Sequence, residues 1–98
     1  FMNLKLRSAD RTDMGSVLKL IKELALFEKE PEAVEITERT LIEDGFGKDP
    51  KFQVFIAELD NEIVGMSLFY ERYSTWKGKA LHLEDLIIQE KHRGKGIG

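Results

Sequence analysis

The sequence contains no cysteine, and this absence removes several kinds of site. Neither a disulfide framework nor a catalytic thiol is possible. Histidine is also scarce, because His82 and His92 are the only two in the chain. Without a cluster of cysteine and histidine ligands, a zinc site is not expected. We therefore expect a protein without a bound metal and without a cysteine nucleophile.

Long apolar runs and an excess of positive charge are missing as well. No uninterrupted apolar stretch is long enough to cross a bilayer, and the first residues lack the apolar core of a secretory signal. The formal net charge is −3 for 98 residues, which does not fit a nucleic-acid-binding surface and suits a cationic partner. We expect a cytoplasmic protein that binds neither membrane nor nucleic acid.

The first half of the chain has the pattern of one strand and two helices. Alternation predicts a strand over residues 3–8, and apolar residues at helical spacing predict an amphipathic helix that ends near Phe27 or Glu28. Thr37 is a suitable N-cap for a second, shorter helix. Gly45 and Gly47 are expected to end that helix.

The second half has the pattern of three strands in succession, over residues 52–59, 63–70 and 80–88. Asp60 and Asn61 predict a tight turn between the first two. The connections are short, which favours an antiparallel meander. We therefore predict an α+β fold, with a mixed, mainly antiparallel sheet and flanking helices.

The last six residues alternate glycine with other residues directly after a strand. Alternating glycines let the backbone approach a ligand closely and turn N–H groups towards it, and a helix after such a loop adds partial positive charge. The loop is therefore a candidate site for phosphate or pyrophosphate. It consists of Arg93, Gly94, Lys95, Gly96, Ile97 and Gly98.

Two other phosphate motifs fit this loop less well. A P-loop has four residues between its glycines and then Gly-Lys-Ser/Thr. A dinucleotide fingerprint needs a parallel βαβ unit and a third glycine after two spacers, whereas Gly98 comes one spacer after Gly96. From spacing alone, a glycine-rich turn with solvated basic side chains also stays open.

The loop resembles the cofactor motif of the GNAT superfamily of N-acetyltransferases, Arg/Gln-x-x-Gly-x-Gly/Ala after a strand, with Arg93, Gly96 and Gly98 at the motif positions. Further segments resemble the diamine (spermidine/spermine) and thialysine acetyltransferases, namely LIKELA at 20–25, EDGFG at 43–47 and LED at 83–85. The resemblance implies a GNAT-like acyl-CoA N-acyltransferase fold, truncated after the fourth strand. Residues 1–98 are then the N-terminal part of one domain whose C-terminal helix and strands are absent.

The resemblance also implies the activity. It is transfer of the acetyl group of acetyl-CoA, by direct attack, to a primary amine of a small cationic substrate of the polyamine or thialysine type. The amides of the glycine loop would bind the pyrophosphate of CoA, while the backbone of Leu86, Ile87 and Ile88 would hold pantetheine and polarise the thioester. Members of the family often dimerise, so a homodimer is implied too.

Glu84 is the predicted catalytic residue, because the amine must lose a proton before it attacks. Strand alternation places Leu83 and Asp85 on one face and Glu84 with Leu86 on the other, and the resemblance points to Glu84 as the glutamate that contacts substrate. The alternative is a pair of solvated acids. His82 alternates with Glu84, and its role stays open.

The resemblance implies that Phe27 and Glu28 also bind the amine. Phe27 stands where the family has tyrosine, so a hydroxyl is lost there. Two other functions stay open. One is an acetyltransferase for a protein or peptide amine or an amine drug, and the other is a non-catalytic module that binds acyl-CoA. The group that protonates the leaving thiolate is expected beyond Gly98.

Overall fold

The computed structural model describes residues 4–92, which form four strands and two α-helices. The predicted glycine loop at 93–98 lies outside the described residues. The strands form one antiparallel sheet in the order β1-β2-β3-β4. Short 3₁₀ turns at Arg11–Asp13, Pro31–Ala33 and Glu90–His92 connect or follow the main elements. Those elements are β1 (Leu4–Ser8), α1 (Met14–Phe27), α2 (Glu38–Phe46), β2 (Gln53–Leu59), β3 (Glu62–Ser74) and β4 (Gly78–Ile88).

The start of α1 is tied to β1 through charged side chains. Asp10 caps the turn before the helix by accepting from the Thr12 N–H at 2.8 Å, and the Asp13 carboxylate accepts from the Asp10 N–H at 2.8 Å. Arg7 on β1 donates to both oxygens of Asp13, at 2.7 and 2.9 Å. Arg7 also contacts Glu58 on β2. This network fixes the angle at which the helix leaves the first strand.

One face of the sheet is covered by α1, which supplies the apolar stripe predicted from the sequence. The helix buries Met14, Val17 and Leu20, and the facing strands bury the row Ile56, Met66 and Ile87, which are neighbours across β2, β3 and β4. Each such side chain contributes about 1.5–3 kcal/mol when it leaves water. This layer therefore holds β4 against the helix.

The opposite face of the sheet carries exposed apolar side chains. Phe55, Ser67 and Leu86 are cross-strand neighbours there, and Phe55 and Leu86 are 47% and 54% exposed. Together with Leu6, they line an open cavity of about 380 Å³. No helix in the described part of the chain covers this face.

Several helix and strand ends predicted from the sequence agree with the structure, and one does not. The turn at Asp60–Asn61 is confirmed, with φ of 51° and 69°, as a two-residue hairpin turn requires. The prediction that Gly45 and Gly47 end α2 is confirmed for Gly47, which is the C-cap, and wrong for Gly45, because the helix continues to Phe46. Gly45 is needed for space instead, since a Cβ at that position would lie 2.6 Å from the Phe52 ring.

Among the described residues, no helix combines the length and apolar character needed to cross a membrane. The predicted mainly antiparallel sheet with helices beside it is confirmed.

Candidate active site

The candidate site lies along β4, which is the edge strand of the described sheet. Its inner edge pairs with β3, and no other described strand pairs with its outer edge. An edge strand can pair its backbone groups with an extended ligand. Leu86, Ile87 and Ile88 stand at the end of this strand, with Ile87 buried in the core and Leu86 on the opposite face.

A β-bulge interrupts β4 at Glu84. Leu83 is paired with Phe69 and Asp85 with Leu68, so Glu84 has no residue directly across from it on β3. A bulge of this kind adds one residue to one strand and changes the direction of the side chains that follow.

The bulge corrects the predicted arrangement of this segment. Asp85 lies opposite the buried Leu68 and faces the helix side of the sheet. Leu83 and Leu86, both 54% exposed, share the other face. The prediction that Leu83 shares a face with Asp85 is therefore wrong. Regular alternation does not survive an inserted residue.

Two carboxylates, Glu84 next to it on β4 and Glu28 at the end of α1, act electrostatically on Asp85, and we call Glu28, Glu84 and Asp85 the acidic cluster. Burial raises the pKa of Asp85, and the negative charges of Glu84 and Glu28 raise it further. Glu28, at the end of the helix, is thus close enough to act on a residue of β4. Within residues 4–92, no group of three or more acidic or histidine side chains is arranged to hold a metal ion. A cationic group would relieve the repulsion within the acidic cluster.

Backbone geometry at the end of α1 places Glu28. The Lys29 N–H donates to the Leu26 carbonyl at 3.0 Å, and the Glu30 N–H donates to the Ala25 carbonyl at 2.8 Å. Lys29 has a φ of 62°, which completes a Schellman motif with a lysine in the left-handed position. The motif ends the helix directly after Glu28 and fixes the backbone from which that carboxylate extends.

Comparison with known proteins identifies the family. The acetyltransferase (GNAT) family model matches residues 17–98. The chain belongs to the GNAT family. This match includes α1 from Val17 onwards, α2, strands β2 to β4 and the predicted glycine loop.

Two relatives show which GNAT proteins are similar in sequence. Thialysine N-epsilon-acetyltransferase of Bos taurus is 41% identical, and the match covers 95% of this chain and 59% of the bovine protein. Spermidine/spermine N(1)-acetyltransferase-like protein 1 of Homo sapiens is 39% identical, with 96% of this chain and 14% of that protein covered. The chain therefore spans less than two thirds of the length of either relative.

Solved structures show the same fold. An aminoglycoside acetyltransferase from an uncultured soil metagenomic sample, solved in complex with sisomicin, superposes with a TM-score of 0.73 at 22% identity. The match covers 97% of this chain and 62% of that one. At this identity the comparison supports the fold alone, and it confirms the predicted GNAT-like architecture.

The structure shows where two exposed aromatic side chains lie relative to the acidic cluster. Phe27 is 63% exposed on the last turn of α1, beside Glu28. Trp76, which is 94% exposed, lies in the turn between β3 and β4. Because β4 runs from Gly78 past Glu84, this turn is about 20 Å from the bulge at the usual rise of a strand. Trp76 therefore does not reach the acidic cluster of its own chain.

Sequence analysis missed Asp85 as a member of the cluster. The Glu-Asp pair was visible in the sequence, but regular alternation allowed only one of its members to face the cleft. The predicted phosphate-binding residues lie outside the described residues, and these are Arg93, Gly94, Lys95, Gly96, Ile97 and Gly98.

Proposed function

We propose that the protein carrying this chain transfers the acetyl group of acetyl-CoA to a primary amine of a small polyamine or thialysine-like substrate. The observation that carries this proposal is the acidic cluster beside the edge strand of a GNAT fold. Glu84 and Glu28 both act on Asp85 through their negative charges, and a site with this excess of negative charge attracts an ammonium ion and compensates its charge. Membership of the GNAT family supports acetyl-CoA as the donor.

In this proposal, β4 and the glycine loop hold the donor. The edge position of the strand supports a role for the backbone of Leu86, Ile87 and Ile88 in binding pantetheine and polarising the thioester carbonyl. The loop at 93–98 would bind the pyrophosphate through its amides, with Arg93 and Lys95 adding positive charge.

The acidic cluster would receive the amine. Glu84 takes the proton of the attacking ammonium, directly or through a water molecule, so that the neutral nitrogen can attack. Phe27 and Glu28 contact the rest of the substrate, and Asp85 adds negative charge. Because the chain has no cysteine, we propose direct attack. The nitrogen bonds to the acetyl carbon, the carbon–sulfur bond breaks, and CoA leaves as the thiolate.

We also propose the wider setting predicted from the sequence. Residues 1–98 would be the N-terminal part of a single GNAT domain, in a cytoplasmic protein that forms a homodimer. The acceptor would be a small cationic molecule, with neither nucleic acid nor membrane as a partner.

The test is acetyl-CoA-dependent release of CoA by the full-length gene product, with spermidine, putrescine, thialysine, lysine and basic peptides as acceptors. We expect turnover with one of the small amines. We expect Glu28→Gln to raise KM for that amine and Glu84→Gln to lower kcat by 10²-fold or more, on the order of the contribution of general base catalysis. Glu35→Gln, an exposed acid outside the acidic cluster, is the matched control and should behave as wild type.

Three outcomes would contradict the proposal. Turnover of peptides alone would favour an acetyltransferase for protein or peptide amines. Turnover of an amine drug alone would favour an acetyltransferase that modifies such drugs. Tight binding of acetyl-CoA without turnover of any acceptor would favour a non-catalytic acyl-CoA-binding module.

A further inference from the structure

His82 occupies a defined position between β3 and the bulge of β4. It is paired with Tyr70 on β3, and the two rings lie 5.1 Å apart between centroids at an angle of 53°. Its side chain is 38% exposed. With the imidazole packed against Tyr70 in this way, its two nitrogens face different neighbours.

Those neighbours carry opposite charges. The Arg72 guanidinium lies on one side, with Nη1 3.5 Å from His82 Nδ1. The Glu84 carboxylate lies on the other, with Oε1 3.8 Å from His82 Nε2. A guanidinium can only donate hydrogen bonds, so Nδ1 must be the acceptor in this contact. In a neutral imidazole the proton is then on Nε2 and faces Glu84.

Glu84 needs such a partner because little else restrains it. As the bulge residue it has no neighbour directly across on β3, and its side chain is 54% exposed. The neighbouring Asp85 repels its charge. Within the described residues, the His82 imidazole is the side chain recorded within ion-pair distance of the Glu84 carboxylate.

We propose that His82 is a positioning residue for Glu84, with Nε2–H holding the carboxylate beside Glu28 and Asp85 so that it meets the amine proton. This inference rests on the function proposed above, in which Glu84 is the base. A separation of 3.8 Å is longer than a direct hydrogen bond. Contacts of this kind shorten when substrate binds, and the exposed carboxylate is free to make that small movement.

The alternative role of His82 is packing against Tyr70, and two substitutions separate the two roles. His82→Gln places an amide nitrogen near the position of Nε2 and removes the ring. His82→Phe keeps a ring beside Tyr70 and removes the donor. Positioning of Glu84 predicts that the glutamine variant is active and the phenylalanine variant impaired, whereas packing predicts the reverse.

The experiment measures acetylation of the best small amine by the full-length gene product. We expect His82→Phe to lower kcat by about 10- to 100-fold, the usual effect of misplacing a catalytic group by about 1 Å. KM for acetyl-CoA should be unchanged, and His82→Gln should stay within about threefold of wild type. In a Glu84→Gln background, His82→Phe should have no further effect on kcat, because the residues act as a unit.

Other results would overturn the inference. Equal losses in His82→Gln and His82→Phe, or no loss in His82→Phe, would show that the imidazole does not position Glu84. If Glu84→Gln alone keeps full activity, the role proposed for Glu84 fails. The two failures are therefore distinguishable.

A second measurement does not depend on activity. Long-range ¹H–¹⁵N spectra of histidine-labelled protein at about pH 8, where an ordinary imidazole is neutral, report which nitrogen carries the proton. The His82 signals are those lost in His82→Gln. We expect the Nε2–H form in the wild type and a shift of its Nε2 resonance in Glu84→Gln. In Arg72→Met we expect a weaker preference for the Nε2–H tautomer over the Nδ1–H tautomer. An Nδ1–H form, or an Nε2 resonance unaffected by Glu84→Gln, would overturn the arrangement.

Discussion

Asp85 is a carboxylate that the fold places in unfavourable surroundings. It lies on the helix side of β4, half-buried, and its pKa is raised first by burial and then by Glu84 and Glu28. An acid whose pKa is higher in the folded state binds its proton more tightly when the protein is folded. Ionisation of Asp85 therefore reduces the free energy of unfolding. The positive charge of a bound substrate ammonium would offset this reduction.

The first prediction concerns this residue and pH. The cost of ionising Asp85 is absent below the unfolded-state pKa of about 3.9 and fully present above the raised folded-state pKa. We expect Asp85→Asn to raise Tm at pH 7 and to raise it less at about pH 3.5. Asp49→Asn is the control, because Lys51 lowers the pKa of Asp49 and its removal should not raise Tm. A uniform change in Tm across pH for Asp85→Asn would contradict the electrostatic cause.

The bulge also shows a feature of the site that residue types alone do not predict. The acids at 84 and 85 were identifiable by type, and Glu28 by its place at the end of an apolar helical pattern. The placement of Asp85 on the helix side, where Glu28 acts on it, depends on one inserted residue in β4. No residue type in LHLEDL marks that insertion, because the pairing with β3 is what defines it. Register is a property of two strands, so the sequence of one strand did not show it.

Among the elements, β1 and α1 are joined by one ion pair with little apolar support from the strand. Leu4 and Leu6 on β1 are exposed, whereas Arg7 holds Asp13 with two hydrogen bonds. The hydrogen bonds from Arg7 are the main reason that the pKa of Asp13 is lowered. Asp13 is 7% exposed, so this pair is screened less than a surface one.

The second prediction follows from that link. We expect Asp13→Asn to lower the free energy of unfolding by about 2 kcal/mol at pH 7, since it removes charge-assisted hydrogen bonds. The stabilisation by Asp13 is present above its unfolded-state pKa and is lost as the pH falls through the lowered folded-state pKa. Urea denaturation at pH 7 and at about pH 2 measures this, and the difference between variant and wild type should shrink at low pH. Glu43→Gln is the control, because its pair with Arg39 is exposed.

Element boundaries followed the sequence where the local chemistry is strong. The end of α1 agrees with the end of its apolar spacing, and Asp60–Asn61 agrees with a turn that needs two left-handed residues. The end of α2 was wrongly predicted at Gly45 because glycine has two different structural roles. It ends helices through its freedom of φ, and it also admits a neighbour, here the Phe52 ring. Only the packing of α2 on that ring distinguishes the two.

At the scale of the whole molecule, the described residues form two layers in which one face of the sheet is covered and the other is not. α1 packs on the side of Ile56 and Met66, while Leu6, Phe55 and Leu86 are exposed on the other side. Continuous apolar surface of this kind favours association. In the proposal that residues 1–98 are part of a longer GNAT domain, the rest of the domain would cover this face.

The third prediction is that a polypeptide limited to residues 1–98 binds a hydrophobic dye such as ANS and forms species larger than a dimer at micromolar concentration, while the full-length gene product, proposed above to be a homodimer, does neither. Leu6→Lys should reduce both in the short polypeptide, because it places a charge in the middle of the apolar face. Lys5→Leu is the opposite control on the same strand and should not reduce either. Sedimentation and dye fluorescence measure the two effects. If the short polypeptide stays monomeric and does not increase the fluorescence of the dye, the exposed apolar face does not need to be buried by another part of the protein.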